Sequence, residues 1–344
     1  MKSGSASTSG RGQAPGAGAR DGEELVSVVI PLHNAAWTIG ATLASVRAQT
    51  HSALEIIVVD DGSTDSSAAV VAAHAADDRR IRLFRQANAG VAAARNRGAA
   101  EARADYLAFV DADDLWAPNK IALQLRALHA GGPRAGLVYT WFAVIDAHGR
   151  VISTQHRPMA EGQMLRDLCR RNQIGNGSSS LMRRAAFDAV GGYDTSLRAR
   201  NAQGCEDLLI YLRIAERFEF RVVPRHLTGY RKTPGNMSSD TLQMLRSCEI
   251  VLSDYRESHP EYAAELDAHM VDMIFWLFVH ARVRHALPLA RRLYERGAGE
   301  LLRLAPSLAA RTLRARAPDW LKAPLHRLRR KGGAFRPVYL EMDV

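Results

Sequence analysis

Four short runs of β-branched and aromatic residues, Val26–Ile30, Leu54–Val59, Ile81–Phe84 and Tyr106–Val110, punctuate the first third of the chain. Between them lie Trp37–Gln49, with Trp37, Ile39, Leu43 and Val46 at helical spacing, and the alanine-rich Ser66–Ala76 and Val91–Ala104. Strand and helix alternating at intervals of roughly 25–30 residues predict a mostly parallel sheet with helices on both faces, an α/β fold. The runs are nearly all apolar, as strands covered on both faces require. Pro118 suits the first turn of a helix reaching about His129. Leu137–Val144 and Val151–Ser153, split by Asp146-Ala-His-Gly149, read as a hairpin. Helices are expected at Arg184–Val190 and Glu206–Glu216, and over most of Ser238–Leu304.

Composition removes several classes. With 47% hydrophobic and 24% charged residues in 344, the chain is neither disordered throughout nor a polytopic membrane protein. Its most apolar window, Met273–Val279, is far short of the ~20 residues a spanning helix needs. Residues 1–20 are rich in Gly, Ser and Ala with no apolar run, which predicts a disordered extension over residues 1–23 and no secretory signal. Cys169, Cys205 and Cys248, odd in number and widely spaced, make neither a disulfide framework nor a zinc pattern, so a reducing compartment is expected.

The informative residues follow the strands. After the first come Pro31-Leu-His-Asn34, after the second Asp60-Asp-Gly-Ser-Thr-Asp65, and after the fourth Asp111-Ala-Asp-Asp114. Each alone is ordinary turn chemistry. In an open parallel sheet, however, all three lie along the edge where ligands bind. Carboxylates converging there repel one another unless something positive is bound, and a divalent cation is the usual answer.

The order of these segments resembles that of the family 2 glycosyltransferases of the GT-A fold. Val26–Asn34 is similar to the family's opening strand, and Val58–Asp65 to its second strand and nucleotide-binding turn. Asn88-Ala-Gly-Val-Ala-Ala-Ala-Arg-Asn-Arg-Gly98 resembles its Gly-Val-x-x-Ala-Arg-Asn-x-Gly helix, and Phe109–Lys120 its metal-binding Asp-x-Asp segment. Gly191–Asp194, Glu206-Asp207 and Tyr230-Arg231 fit the acceptor side more loosely. The resemblance implies a glycosyltransferase domain over residues 24–237, with a nucleotide-sugar half at 24–120 and an acceptor half at 121–237. A helical region at 238–300 and a basic amphipathic tail at 301–344 complete the expected organisation.

The resemblance also assigns roles. Asp61, with Asp60 nearby, accepts from the imide N–H of uracil or thymine beside Pro31, His33 and Asn34. Arg95 contacts the nucleotide. Asp113 is the direct ligand of Mn²⁺ or Mg²⁺, with Asp111 on the ribose or an outer water, and Asp114 is a turn residue. Asp207 is the general base and Glu206 orients it or binds the acceptor. A single base opposite the leaving group implies inversion. Two departures stand out: His33 replaces the usual aromatic, and Thr233 replaces the His of the family's Tyr-Arg-x-His-Pro-Gly loop. The Gln-x-x-Arg-Trp pattern of processive members is absent, which favours single addition. The expected partners are a UDP- or dTDP-sugar donor and a glycan or lipid-linked acceptor.

Two other readings compete. A phosphotransfer site would suit Asp60-Asp61 but wants a lysine at a later strand end, which Asp111-Ala-Asp does not offer. A non-catalytic nucleotide-sugar-binding or scaffolding protein of the same fold would not need the acidic residues kept here. The net charge of +10 is concentrated, since residues 301–331 hold nine Lys or Arg against Asp319. Leu, Ala and Trp320 interleave with them, as in a helix lying on an anionic bilayer, and a solvated basic tail is the other reading. Nucleic acid is disfavoured because the remainder carries little net charge and an acidic site. The expected location is cytoplasmic, at or near the inner face of the membrane.

Overall fold

The computed structural model of the protein describes residues 24–154, 157–233 and 240–279. The expected N-terminal extension, the basic tail and most of the Thr233–Ser238 loop lie outside them. The first half alternates as its pattern predicts: β1 (Val26–Leu32), α1 (Ile39–Arg47), β2 (Leu54–Asp61), α2 (Ser67–Asp77), β3 (Ile81–Gln86), α3 (Val91–Glu101) and β4 (Tyr106–Phe109). Strands β1 and β2 are buried at every position, which is why their sequences are apolar on both faces. β1 lies between β2 and β4 and is parallel to both, with Val29 opposite Ile57 on one side and Phe109 on the other.

The second half is less regular. It runs β5 (Leu115–Trp116), α4 (Lys120–Ala130), β6 (Ala135–Ile145), β7 (Val151–Ser153), α5 (Leu165–Arg170), β8 (Ser180–Arg183), α6 (Arg184–Ala189), α7 (Ser196–Ala199), α8 (Glu206–Ala215), β9 (Glu219–Arg231), α9 (Thr241–Ser258) and α10 (Ala263–Val279). The strand order is β3-β2-β1-β4-β8-β6-β9-β5, with β7 beside β6. β4–β8, β8–β6 and β9–β5 are antiparallel and β6–β9 is parallel. The expected hairpin is β6–β7, turning at Asp146–Gly149.

Helices cover both faces. Val28 and Ile30 pack with Ile39, Leu43 and Val46 of α1 and with Ile121, Leu125 and Leu128 of α4. On the other face Val29, Leu107 and Phe109 meet α3 and α8. There α3 comes very close: a Cβ on Gly98 would stand 2.3 Å from Val29 Cγ1, so only glycine permits this approach. Leu245, Val251, Leu252, Leu266 and Met270 bring α9 and α10 into that same core beside α5 and α8. Each such buried Leu or Ile contributes about 1.5–3 kcal/mol relative to exposure.

Two expectations are corrected here. Helix α1 starts at Ile39, not Trp37, and Trp37 is 62% exposed, not part of the apolar stripe. The cause is the next turn: Ser67 Oγ accepts from Ala35 N (2.8 Å) and Asp65 Oδ2 from Ala36 N (3.1 Å), which holds this stretch out of helical geometry. The cysteines are not all free: Cys205 and Cys248, 43 residues apart with Cα atoms 5.8 Å apart, form a disulfide, and Cys169 is a buried thiol. Leu115–Trp116, within the Asp-x-Asp segment, forms a short strand paired with β9. No described helix is long and apolar enough to cross a membrane.

Candidate active site

The carboxyl ends of β1, β2 and β4 bring the three polar turns to one edge. Pro31 is buried in β1, while His33 and Asn34 are exposed beyond it. Asn34, at φ 47°, accepts through Oδ1 from Thr64 N (2.8 Å) and donates its own N–H to Ser63 Oγ (3.1 Å), which ties the first turn to the second. Asn tolerates the left-handed region better than most residues. His33 Nδ1 lies 2.9 Å from the Asp61 carbonyl, a contact that requires the proton on Nδ1 and leaves Nε2 to accept from Asn88 Nδ2 at 3.3 Å.

Asp60 and Asp61 are both buried, and their carboxylates are already at work. Asp60 Oδ1 accepts from Ser63 N (2.9 Å). Asp61 accepts from Gln86 Nε2 (2.8 Å), Ala89 N (2.8 Å) and Gly90 N (2.7 Å). The latter two N–H groups stand at the start of α3, where a negative charge is favoured by the helix dipole. A carboxylate offers about four acceptor positions, so Asp61 keeps about one for a ligand.

Arg95 projects from α3 and is 3% exposed. Its Nη1 donates to Asp207 Oδ1 (2.7 Å) and its Nη2 to Asp111 Oδ1 (2.6 Å), while Cζ lies 5.0 Å from the centroid of the Tyr193 ring. The structure seats this guanidinium, expected from the resemblance to contact the nucleotide, between two carboxylates from distant segments. Both charges raise its pKa well above the usual arginine value despite burial. Arg95 Nε and Tyr193 Oη are buried without a hydrogen-bond partner among the described residues. The cluster is tight on its far side as well. A Cβ at Gly177 would stand 2.8 Å from Arg95 Nη2 and 2.9 Å from Asp207 Oδ1.

Asp207 sits in the first turn of α8 with its side chain 20% exposed. Burial, opposed by Arg95, pushes its pKa up to about 6. Glu206 is buried and turns back to accept from Gly204 N (2.7 Å), so its carboxylate shapes the turn leading into α8. Asp111 is 28% exposed and Asp113 half-buried, at alternate positions of the turn after β4. Asp114 faces inward and is fully buried, and burial raises its pKa well above the carboxylate range.

Residues 27–191 match the model for glycosyl transferase family 2. Over those residues the chain is a family 2 glycosyltransferase domain. It is 31% identical over 215 residues to an uncharacterized glycosyltransferase of Rickettsia felis, which covers 61% of this chain and 33% of that protein. It is 48% identical over 89 residues to the uncharacterized glycosyltransferase YibD of Escherichia coli, covering 26% of each. The chain thus spans about a third or less of the length of these relatives. Among solved structures it is similar to the mannosyltransferase PcManGT from Pyrobaculum calidifontis in complex with GDP-Man and Mn²⁺, at TM-score 0.58 and 18% identity over 88% of this chain and 84% of that one. It is also similar to S. aureus TarS 1–349 in complex with UDP-GlcNAc, at TM-score 0.53 and 18% identity over 70% of each chain. That likeness shows the fold, GT-A.

Within the family 2 domain, the predicted residues converge as two linked groups. One is Pro31, His33, Asn34, Asp60 and Asp61. The other is Asp111, Arg95 and Asp207, with Asp113 on the same turn. Among the described residues no three His, Cys, Asp or Glu side chains form a metal cage by themselves. A separate cavity of about 360 Å³, lined by Asp194, Leu209, Arg213, Glu216, Asp254 and Tyr255 among others, lies across α8 from Asp207, because positions 209, 213 and 216 occupy the opposite face of that helix. Sequence reasoning missed Tyr193 under Arg95, Ser178 and the inward role of Asp114. Gly191-Gly-Tyr193 was a visible signal for the first, but Ser178 lies in a run of three serines with nothing to single it out.

Proposed function

We propose that the protein transfers a single sugar from a UDP- or dTDP-linked donor to a hydroxyl of a glycan or lipid-linked acceptor, with inversion at the anomeric carbon. The observation that supports this reading is the Asp111–Arg95–Asp207 bridge, which links the candidate base to the acidic turn at the donor edge. Complexes of the same fold with UDP-GlcNAc and with GDP-Man and Mn²⁺ support a nucleotide-sugar donor and a divalent cation.

Asp207 takes the proton of the acceptor hydroxyl as that oxygen bonds to the anomeric carbon. The bond from this carbon to the diphosphate breaks, and its electron pair leaves on the diphosphate oxygen. With a pKa near 6, Asp207 is ionised at neutral pH and is a better base than an ordinary carboxylate. Arg95 keeps it oriented. The two carboxylates Asp111 and Asp113 suit Mn²⁺ or Mg²⁺, hard cations that complete their oxygen shell with substrate phosphates. Such an ion, when bound, neutralises charge developing on the leaving diphosphate. Pro31, His33, Asn34, Asp60 and Asp61 hold the base and ribose, and Glu206 shapes the acceptor side. Residues 301–331 hold the enzyme at the anionic inner face of the membrane.

The test is donor turnover. Wild-type protein incubated with UDP- and dTDP-sugars plus Mn²⁺ hydrolyses a donor slowly, and a panel of donors with mass spectrometry identifies it. Asp207→Asn lowers transfer about 10²–10⁴-fold while donor affinity stays unchanged. Full transfer by this variant removes Asp207 as the base, and absence of any sugar-nucleotide binding by the wild type leaves the scaffolding alternative.

A further inference from the structure

The acidic turn between β4 and β5 carries Asp111 and Asp113, the two carboxylates expected beside the cation, yet it belongs to no strand or helix. Its shape is set by side chains from three other elements. Ser178, fully buried in the turn before β8, accepts from Asp111 N (3.0 Å) and donates to Asp114 Oδ2 (2.5 Å). Thr42, buried in α1, lies within bonding distance of the carbonyls of Ala112 (3.0 Å) and Asp114 (2.9 Å). Arg231, buried at the end of β9, donates through Nε to the Asp113 carbonyl (2.6 Å), and its backbone N–H donates to Asp114 Oδ1 (2.8 Å). Within the turn Asp114 N donates to the Asp111 carbonyl (3.0 Å). Every residue from 111 to 114 is therefore fastened by its backbone, and Asp114 also by both carboxylate oxygens.

We propose that Asp114, Ser178 and Thr42 are positioning residues that preset Asp111 and Asp113 for a divalent cation. This rests on the reading of Asp111 and Asp113 as the cation's protein ligands. Cation coordination tolerates errors of a few tenths of an ångström, and two carboxylates on an otherwise irregular turn meet that demand only if the backbone between them is fixed. Ser178 is the central fastener because one hydroxyl serves both ends of the turn, accepting at Asp111 and donating at Asp114. Removing it leaves the Asp111 N–H and a buried carboxylate oxygen of Asp114 without that partner, and the turn relaxes to satisfy them. The anchors also join the donor edge to the acceptor half, since Ser178 and Arg231 both belong to segments beyond α4.

Mn²⁺ binding to the full chain in the presence of UDP, followed by electron paramagnetic resonance of free Mn²⁺, tests this without turnover. In Ser178→Ala the dissociation constant for Mn²⁺ rises about 10–100-fold, the loss typical of removing a partner behind a ligand. UDP binding without metal and the circular dichroism spectrum stay as in the wild type. Thr42→Val, which cuts a different anchor of the same turn, moves Mn²⁺ affinity in the same direction and guards against a folding defect peculiar to Ser178→Ala. Folded variants that bind Mn²⁺ within twofold of the wild type overturn the proposal alone. A wild-type chain that binds UDP but no Mn²⁺ overturns the cation reading and the proposal with it.

Discussion

Arg95 holds two carboxylates for which different tasks are proposed, Asp207 and Asp111. Asp207, fixed at 2.7 Å from Nη1, cannot swing away from the site, and burial raises its pKa to about 6. The sign of the pH effect follows. The base works as the carboxylate, so transfer is at its plateau above about pH 6 and falls as the pH drops through that value. Below it kcat/KM declines about tenfold per pH unit, as for loss of one ionised group. A pH profile of kcat/KM with a limb near pH 4, the ordinary carboxylate value, would show that Asp207 is not the group being titrated. At this scale the sequence was legible in type but not in geometry. The resemblance set Asp114 apart from Asp111 and Asp113 as a turn residue, but only its tertiary partners show that it faces inward and is fully buried. Arg95 was singled out by its motif, yet its burial between Asp111 and Asp207 depends on α8, more than a hundred residues away.

Helix α8 carries Asp207, the proposed base, and its start is fastened to α9. The Cys205–Cys248 disulfide stands directly before Glu206 and Asp207, Gln243 Nε2 donates to the Asn201 carbonyl, and Ser247 Oγ donates to the Gln203 carbonyl (the last contact very short). Closing a loop across a separation of 43 residues restricts the unfolded chain by about 4 kcal/mol in the chain-entropy account, against typical measured losses of 2–5. Cys248→Ser therefore lowers unfolding free energy by a few kcal/mol, and dithiothreitol brings the wild type to the level of the variant in urea melts. Identical midpoints for wild type and variant, with and without reductant, would remove the tether. Elements with strong local signals, β1 to β4 and their helices, were readable because β1, β2 and β4 are buried throughout and the border strand β3 still keeps a run of Ile81, Leu83 and Phe84. β8 and β9 were not. β8 has four residues, and β9 contains Pro224 with charged and polar neighbours, so its identity comes from pairing with β6 and not from its own pattern. The disulfide was illegible for the same reason: the spacing of two cysteines says nothing about helices that meet only in the folded chain.

Across the whole molecule, charge is unevenly shared. The formal net charge is +10, and residues 301–331 supply nine of its cations against Asp319. Each basic residue near an anionic surface contributes roughly 1 kcal/mol of attraction, so sedimentation with phosphatidylglycerol vesicles is expected for the full chain and lost on deleting residues 301–344. Equal sedimentation of both would place any membrane affinity elsewhere. The acidic edge at the strand ends and the basic tail are separate features of one chain, which is why the overall pI near 9.9 describes neither. The sheet itself has unlike borders. Among the described residues it ends at β3 and β5, where unpaired backbone groups invite another strand. β3 places Arg82 and Arg85 in its short run, Arg85 with 68% of its side chain exposed, and β5 is two residues long. A charged border and an abbreviated one both discourage strand addition. Copies of the chain are thereby discouraged from joining strand to strand into a continuous sheet.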